Sequence, residues 1–124
     1  MYGFVGILGG DALLGDQGDE ALIRSMSDTI MHRGPDDDGY WCDSKKHISL
    51  GHRRLSIIDL SNAGHQPMKS VGGRFMIVFN GEIYNHLSLR KELQGMSLTT
   101  TWRGHSDTET LLAGFEAWGI RETI

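Results

Sequence analysis

Apolar positions in the first part of the chain predict one strand followed by one helix. The run "FVGIL" at residues 4–8 stands between glycines and is typical of a short buried strand. The glycine- and aspartate-rich stretch "GGDALLGDQGD" at residues 9–19 predicts a loop. A helix is expected from Asp19 to the stop signal "HRGP". Its apolar positions recur every four residues: Leu22, Met26 and Ile30.

The middle of the chain predicts strands that pair in antiparallel fashion. "DDDG" is typical of a turn, and "GYWC" and "HISLGH" follow it as two strands. Ile48 and Leu50 share one face of the second of these strands. Further along, Phe75 to Phe79 form a continuous apolar run that predicts a buried strand leading into Asn80 and Gly81.

A change from strand to helix pattern follows this apolar run. Asn85 is placed to cap a helix in which Leu89 and Leu93 lie one turn apart. Gly95 is expected beyond the end of that helix.

The last segment, "SDTETLLAGFEAWG", predicts another helix. It opens with the capping-box pattern of Ser106 and Glu109. One apolar stripe and a terminating glycine follow: Leu111, Phe115 and Trp118, then Gly119. Because strands and helices are interleaved and the links between strands are short, the sequence predicts an α+β layered fold.

Composition narrows the classes of protein to be considered. The 124 residues suit one domain, and a net charge of −4 argues against nucleic acid or an anionic membrane surface as the main partner. The longest apolar run, residues 4–8, is too short to span a bilayer. A single cysteine, Cys42, excludes an internal disulfide and suits a reducing, cytoplasmic setting, and its strand context favours a buried, inert thiol.

The Asn80-Gly81 pair has two interpretations. It is a strong hairpin signal, but a hairpin requires a second alternating strand and a helix pattern follows instead. At a strand end, a side-chain amide and a glycine N–H can also point at one oxygen and form an oxyanion hole.

Charged residues elsewhere leave similar alternatives open. Arg53 and Arg54 are typical of a solvated face, whereas one guanidinium could instead fork onto a substrate carboxylate. Asp107 suits a helix N-terminus, and together with Glu82 it could also hold an ammonium group. The histidines lack the spacing of metal ligands, so no metal site is expected: His32, His52, His65 and His86.

Five motifs occur together in one order: "HRGPDDDG", "LGHRRLSIIDLS", "GHQPM", "FNGEIYNH" and "WRGHSDTETLL". The chain resembles, over its full length, the N-terminal class II glutamine amidotransferase (glutaminase) domain of glutamine-hydrolysing asparagine synthetases. The resemblance implies a sandwich of the N-terminal-nucleophile hydrolase type, with two antiparallel sheets between helix layers (αββα). It implies further that residues 1–124 are the N-terminal portion of this domain, truncated at the C-terminal side.

The same resemblance assigns the residues that bind glutamine. They are Arg54, Leu55, Ser56, Ile57, Ile58, Asn80, Gly81, Glu82 and Asp107. The Asn80 side chain and the Gly81 N–H would form the oxyanion hole. No cofactor is expected in this domain, and ATP and magnesium are expected only in a C-terminal synthetase domain, which is absent here.

Tyr2 departs from the family, in which this position holds the nucleophilic cysteine. Once the methionine is removed, that cysteine supplies a thiol and an α-amine, whose pKa of roughly 7.7–8.0 suits it to act as the base. The Tyr2 phenol is a weak acid whose oxygen lies several bonds further from the backbone, and its bulk disfavours removal of Met1. We therefore predict that the chain does not hydrolyse glutamine.

Three hypotheses remain open from the sequence. The chain is a disabled glutaminase domain, a module that binds glutamine or another amino acid without cleaving it, or a structural module of a synthetase that uses ammonia or another amine. The expected partners are glutamine and the synthetase domain. Self-association is also expected if the apolar faces of residues 75–79 and of the last helix lack cover.

Overall fold

The computed structural model describes residues 2–9, 15–55, 61–96 and 101–124, with only the backbone described at residues 15–18. It divides into two compact units. The first comprises Met1–Leu60, His65–Pro67 and Val78–Asn80, and the second comprises Ser61–Gly64, Met68–Ile77 and Gly81–Ile124.

A three-stranded antiparallel sheet and one helix form the first unit. The sheet has the order β1 (Gly3–Leu8), β3 (Ile48–Arg54), β2 (Asp37–Asp43), with β3 in the centre. Helix α1 (Gly15–Thr29) packs against the sheet, and a short 3-10 helix (Met31–Arg33) follows it. The antiparallel pairing expected from the sequence is confirmed.

Strand β1 forms where predicted but is not a buried strand. Its residues alternate in burial, and Phe4 and Leu8 are 52% and 83% exposed. An edge strand pairs on one side only and presents alternate side chains to opposite faces, so an apolar run there need not be fully covered.

Helix α1 begins at Gly15, within the stretch expected to be a loop, and its buried face matches the predicted one only in part. Met26 and Ile30 are half-buried as predicted, but Leu22 is 39% exposed, and Ile23 and Ser27 are fully buried instead. The buried Ser27 hydroxyl accepts a hydrogen bond from Arg53 Nε of the sheet, at 2.9 Å. A polar contact with a distant strand is therefore part of the buried face of the helix.

Arg53 and Arg54 do not form a solvated face, because both are buried at the end of β3. Besides Ser27, the Arg53 guanidinium bonds to the Asp28 carboxylate and contacts the Tyr40 hydroxyl at 3.4 Å. A buried guanidinium is tolerated only with such partners. Arg53 thus joins α1 to both β2 and β3.

Two further predictions, both for residues of β2, are wrong. Asp37 to Gly39 belong to the strand and not to a turn, and Gly39 pairs with His52. A Cβ atom at Gly39 would lie 1.9 Å from the Gln66 carbonyl oxygen, so the 65–67 segment crosses directly over the strand. Cys42 is exposed, and the expectation of a buried thiol is wrong.

Helices dominate the second unit. They are α2 (His86–Gly95), α3 (Asp107–Trp118) and α4 (Ile120–Thr123), beside a two-stranded sheet of β4 (Met68–Lys69) and β5 (Met76–Ile77). The α2 and α3 helices pack through Leu93 and Leu112, and the Phe115 ring meets Phe75 edge-on at 5.8 Å. The long buried strand expected at residues 75–79 is therefore reduced to two residues. The observed elements confirm the α+β class.

In the second unit, the predicted N-cap residues lie at the helix starts, but not every predicted capping contact forms. Asn85 and Ser106 are the N-caps, but only the Ser106 hydroxyl accepts a helix amide, from Thr108 at 3.2 Å. Gly95 is the last residue of α2 and does not lie beyond it. Gly119 ends α3 with φ +89°, a conformation that glycine adopts without strain.

Among the described residues, no helix combines the length and apolar character needed to cross a membrane.

A second close backbone approach in the first unit, at Gly34, generates a stability prediction. A Cβ atom at Gly34 would lie 2.4 Å from both the Arg53 carbonyl carbon and the Arg54 nitrogen. We expect Gly34→Ala to reduce the free energy of unfolding by about 2 kcal/mol or more, because backbone must move to admit the methyl group. Gly95→Ala is the control, since among the described residues no atom outside its chain neighbours and its own helix backbone lies within 4 Å of a Cβ atom there. Urea unfolding measures both, and equal stability of the two variants would contradict the prediction.

Candidate functional site

Tyr2 precedes β1 and contacts a buried histidine of β3. Pairing between the strands places Gly3 opposite Arg53, so Tyr2 lies at the Arg53–Arg54 end of the sheet. The Tyr2 ring centroid is 5.7 Å from that of His52, and the two rings are tilted by 33°. His52 is 1% exposed. The residue at the expected nucleophile position is therefore packed against the sheet.

His52 also links Tyr2 to the segment that carries Asn80. The Phe79 backbone forms a hydrogen bond with the His52 ring, and the Phe79 N–H donates to Gln66 Oε1 at 2.6 Å. Asn80 follows directly and is exposed. Within the first unit, Tyr2 therefore contacts His52, and the residue directly before Asn80 bonds to the same histidine.

Burial keeps the His52 ring uncharged at neutral pH. Desolvation lowers the pKa of His52 from 6.5 to about 4, while the Phe79 backbone and the Asp37 carboxylate oppose this change. Its Nε2 atom is buried and makes no hydrogen bond with any residue that the structure describes. His52 was considered from the sequence only as a possible metal ligand, and its position opposite Gly39 in the sheet was not apparent.

Arg54 lies at the end of β3, where the backbone after the 3-10 helix covers it. The Asp36 N–H donates to the Arg54 carbonyl at 3.1 Å, and Pro35 pairs with Arg54 in a parallel bridge. Leu55 is partly buried beside it. The remaining predicted residues of this segment, Ser56, Ile57 and Ile58, lie outside the described residues.

Three of the predicted residues lie in the second unit. Gly81 and Glu82 are exposed, and Asp107 is the first residue of α3. The Asp107 carboxylate accepts the Ile83 N–H and the Thr108 N–H, each at 2.8 Å. Asp107 is therefore attached to the segment that carries Gly81 and Glu82, in addition to its expected place at the helix N-terminus.

Sequence patterns predicted no role for Arg90 and a different partner for Glu109. Both are buried, and Glu109 Oε2 lies 3.4 Å from Arg90 Nη2. Instead of reaching the Ser106 amide as in a capping box, Glu109 accepts the N–H groups of Arg103 at 2.6 Å and Gly104 at 3.0 Å. The burial of Arg90 could have been predicted from its position one turn before Leu93, on the buried face of α2.

Within the described ranges, no group of three or more His, Cys, Asp or Glu side chains is placed to hold a metal ion.

Comparison with known proteins places these residues in a family context. A family model described as "Glutamine amidotransferase domain" matches residues 1–124. "Asparagine synthetase [glutamine-hydrolyzing] 1" from Bacillus subtilis is 46% identical over 115 residues, covering 93% of this chain and 17% of that protein. "Asparagine synthetase [glutamine-hydrolyzing] 3" from the same organism is 41% identical over 107 residues, covering 81% and 16%.

A relative with a different name matches almost as well. "Amidase chry2" from Gibberella zeae is 40% identical over 114 residues, covering 92% of this chain and 16% of that protein. The chain thus spans about one sixth of the length of each of these relatives.

The His52 environment generates a pH prediction. Between pH 6.5 and about 4, the unfolded chain binds a proton at this histidine that the folded chain does not bind, so stability falls as the pH falls. The difference in pKa corresponds to at most about 3 kcal/mol at pH 4. We expect the free energy of unfolding of a His52→Gln variant to depend less on pH in this range than that of the parent chain. His32→Gln, at an exposed histidine, is the control, and parallel pH profiles for parent and His52→Gln would contradict the assignment.

Proposed function

The chain belongs to the glutamine amidotransferase domain family, and from this membership we propose that it is a glutaminase-type domain that binds glutamine but has lost its hydrolysis. We propose also that it adopts the N-terminal-nucleophile hydrolase fold of such domains. The observation that carries the proposal is the position of Tyr2: it occupies the expected nucleophile position and packs on His52, which bonds to the backbone beside Asn80.

Glutamine binding is proposed through the residues that the resemblance to the family assigns. The Arg54 guanidinium would fork onto the α-carboxylate, with Leu55, Ser56, Ile57 and Ile58 supplying backbone contacts. Glu82 and Asp107 would hold the ammonium group. Support comes from the burial of Arg54 at a covered strand end and from the attachment of Asp107 to Ile83.

Loss of hydrolysis follows from the chemistry of the residue at position 2. The family reaction requires a thiolate attacking the side-chain amide carbon, with the Asn80 amide and the Gly81 N–H stabilising the oxyanion. A phenol at this position is a poor nucleophile near neutral pH, and its oxygen is displaced from the place of a cysteine sulfur. Even a displacement of about 1 Å lowers such rates by about a hundredfold.

The whole protein is proposed to act as an amide- or amine-forming synthetase. Two of the relatives are named as glutamine-hydrolysing asparagine synthetases, and the matched region covers only 17% and 16% of their lengths. On this proposal a C-terminal synthetase domain is the partner of the chain and uses ATP and magnesium. It would take free ammonia or another amine as acceptor, because its glutaminase domain supplies none.

The absence of hydrolysis is tested by ammonia release from glutamine. We expect no release above background from the parent chain. Tyr2→Cys should restore it, because a small residue permits removal of Met1 and exposes an α-amine and a thiol. Tyr2→Ala permits the same removal, verified by intact mass, without a thiol, and is the matched control. Ammonia release by the parent chain that disappears in Tyr2→Ala would overturn the proposal.

Glutamine binding is tested separately by calorimetry on the parent chain. We expect binding, and a loss of affinity of about tenfold or more in Arg54→Lys, because an ammonium group cannot make the paired bonds of a guanidinium. Arg121→Lys, at an exposed arginine of α4, should bind like the parent. Absence of binding in the parent would contradict this proposal and favour a structural module.

A further inference from the structure

A buried arginine lies behind the N-terminus of α3. Arg90 of α2 is 8% exposed, and its guanidinium stacks on the Trp102 ring with 4.0 Å between the guanidinium carbon and the ring centroid. Its nitrogens donate to Thr110 Oγ1 at 2.8 Å and to the carbonyl oxygens of Gly104 at 2.7 Å and Ser106 at 3.0 Å. One planar group therefore holds both the loop before α3 and its first turn.

Glu109 holds the same loop by its amide groups. Its Oε1 accepts the Arg103 N–H and its Oε2 accepts the Gly104 N–H, while the carboxylate also pairs with Arg90. Burying two charges costs several kcal/mol unless their partners are well placed. Here most of those partners are backbone groups of one loop, so the charges fix the path of that loop.

Asp107 connects the loop that Arg90 and Glu109 hold to a second segment. It follows the fixed loop directly, and its Oδ2 accepts the Ile83 N–H at 2.8 Å. Ile83 comes two residues after Gly81 and directly after Glu82. A displacement of the first turn of α3 would therefore release the segment that carries these two residues.

We propose that Arg90 and Glu109 are positioning residues that set the first turn of α3 so that Asp107 holds the Ile83 amide, and with it the Gly81–Ile83 segment. The functional role of an ordered Gly81–Ile83 segment rests on the proposed glutamine binding, in which Gly81, Glu82 and Asp107 take part. The mechanical link itself does not depend on any ligand.

The test uses hydrogen exchange of the Ile83 amide in the full chain. Glu109→Gln keeps the size of the side chain, but its NH2 group cannot accept an amide, so one of the two loop bonds is lost. We expect protection of the Ile83 amide to fall about tenfold or more, because its bond to Asp107 opens more often. Glu116→Gln is the matched control: this residue of the same helix bonds to Ser70 at 2.5 Å, away from the loop.

An internal reference separates a local effect from general destabilisation. The Gly119 amide, which donates to the Phe115 carbonyl at 3.0 Å, should keep its protection in Glu109→Gln. Arg90→Lys keeps the charge but loses the fork and should show the same selective loss at Ile83. If Glu109→Gln does not fold, Arg90→Lys supplies the test, and Asp107→Asn serves as the reference for direct loss of the Ile83 bond.

The outcomes distinguish this inference from the proposed function. Unchanged Ile83 protection in folded Glu109→Gln and Arg90→Lys would overturn the positioning role, whether or not the parent binds glutamine. Selective loss of Ile83 protection in a chain that binds no glutamine would support the link and contradict the proposed ligand. If the parent chain binds glutamine and the positioning role is correct, Glu109→Gln should also lower glutamine affinity about tenfold, because the Gly81–Ile83 segment is less ordered.

Discussion

The contact between the Gly34 backbone and the end of β3 is the constraint on which the first unit depends. Arg53 and Arg54 are buried where these backbones approach, and a buried guanidinium needs hydrogen-bond partners within the protein. The Arg53 side chain finds them in Ser27 and Asp28 of α1 and in Tyr40 of β2. The covered end of β3 is therefore also the place where the helix is joined to the sheet.

Both units use an arginine for this task, and the chemistry of the guanidinium explains the choice. Its five N–H donors lie in one plane and can reach acceptors on several elements at once, which an ammonium group does less well. Arg53 bonds to side chains of a helix and a strand, whereas Arg90 bonds mainly to backbone carbonyls of one loop. Arg53 therefore joins elements of secondary structure, and Arg90 shapes a segment that has none.

Local sequence patterns predicted which elements form, but not which faces they bury. The positions of β1, β2, β3, α2 and α3 follow from apolar periodicity and caps, which act over a few residues. Ser27 is buried in place of Leu22, and its hydroxyl bonds to Arg53, which lies 26 residues away. No periodicity within the helix carries that information.

At the candidate site, too, the sequence predicted the family but not the contacts of individual residues. Five motifs identified the family, because their order and spacing are specific even though each alone is weak. The contacts of the predicted residues were not predictable: Asp107 is engaged by Ile83, and Glu109 by Arg103 and Gly104. These partners lie on loops, whose paths depend on the packing around them and not on a repeating pattern.

Because His52 is uncharged, it cannot activate a nucleophile at position 2 by its charge. A charged imidazole beside the nucleophile would stabilise a thiolate or a phenolate, but burial holds this ring neutral at physiological pH. An uncharged ring supplies no such stabilisation. On the proposed function, activation would come from elsewhere, and the α-amine of the nucleophile is the base that the family resemblance implies. A Tyr2 phenol would supply no thiol for that reaction, and its ring packs on His52 at the end of the sheet. The proposed loss of hydrolysis would therefore lie at the chemical step.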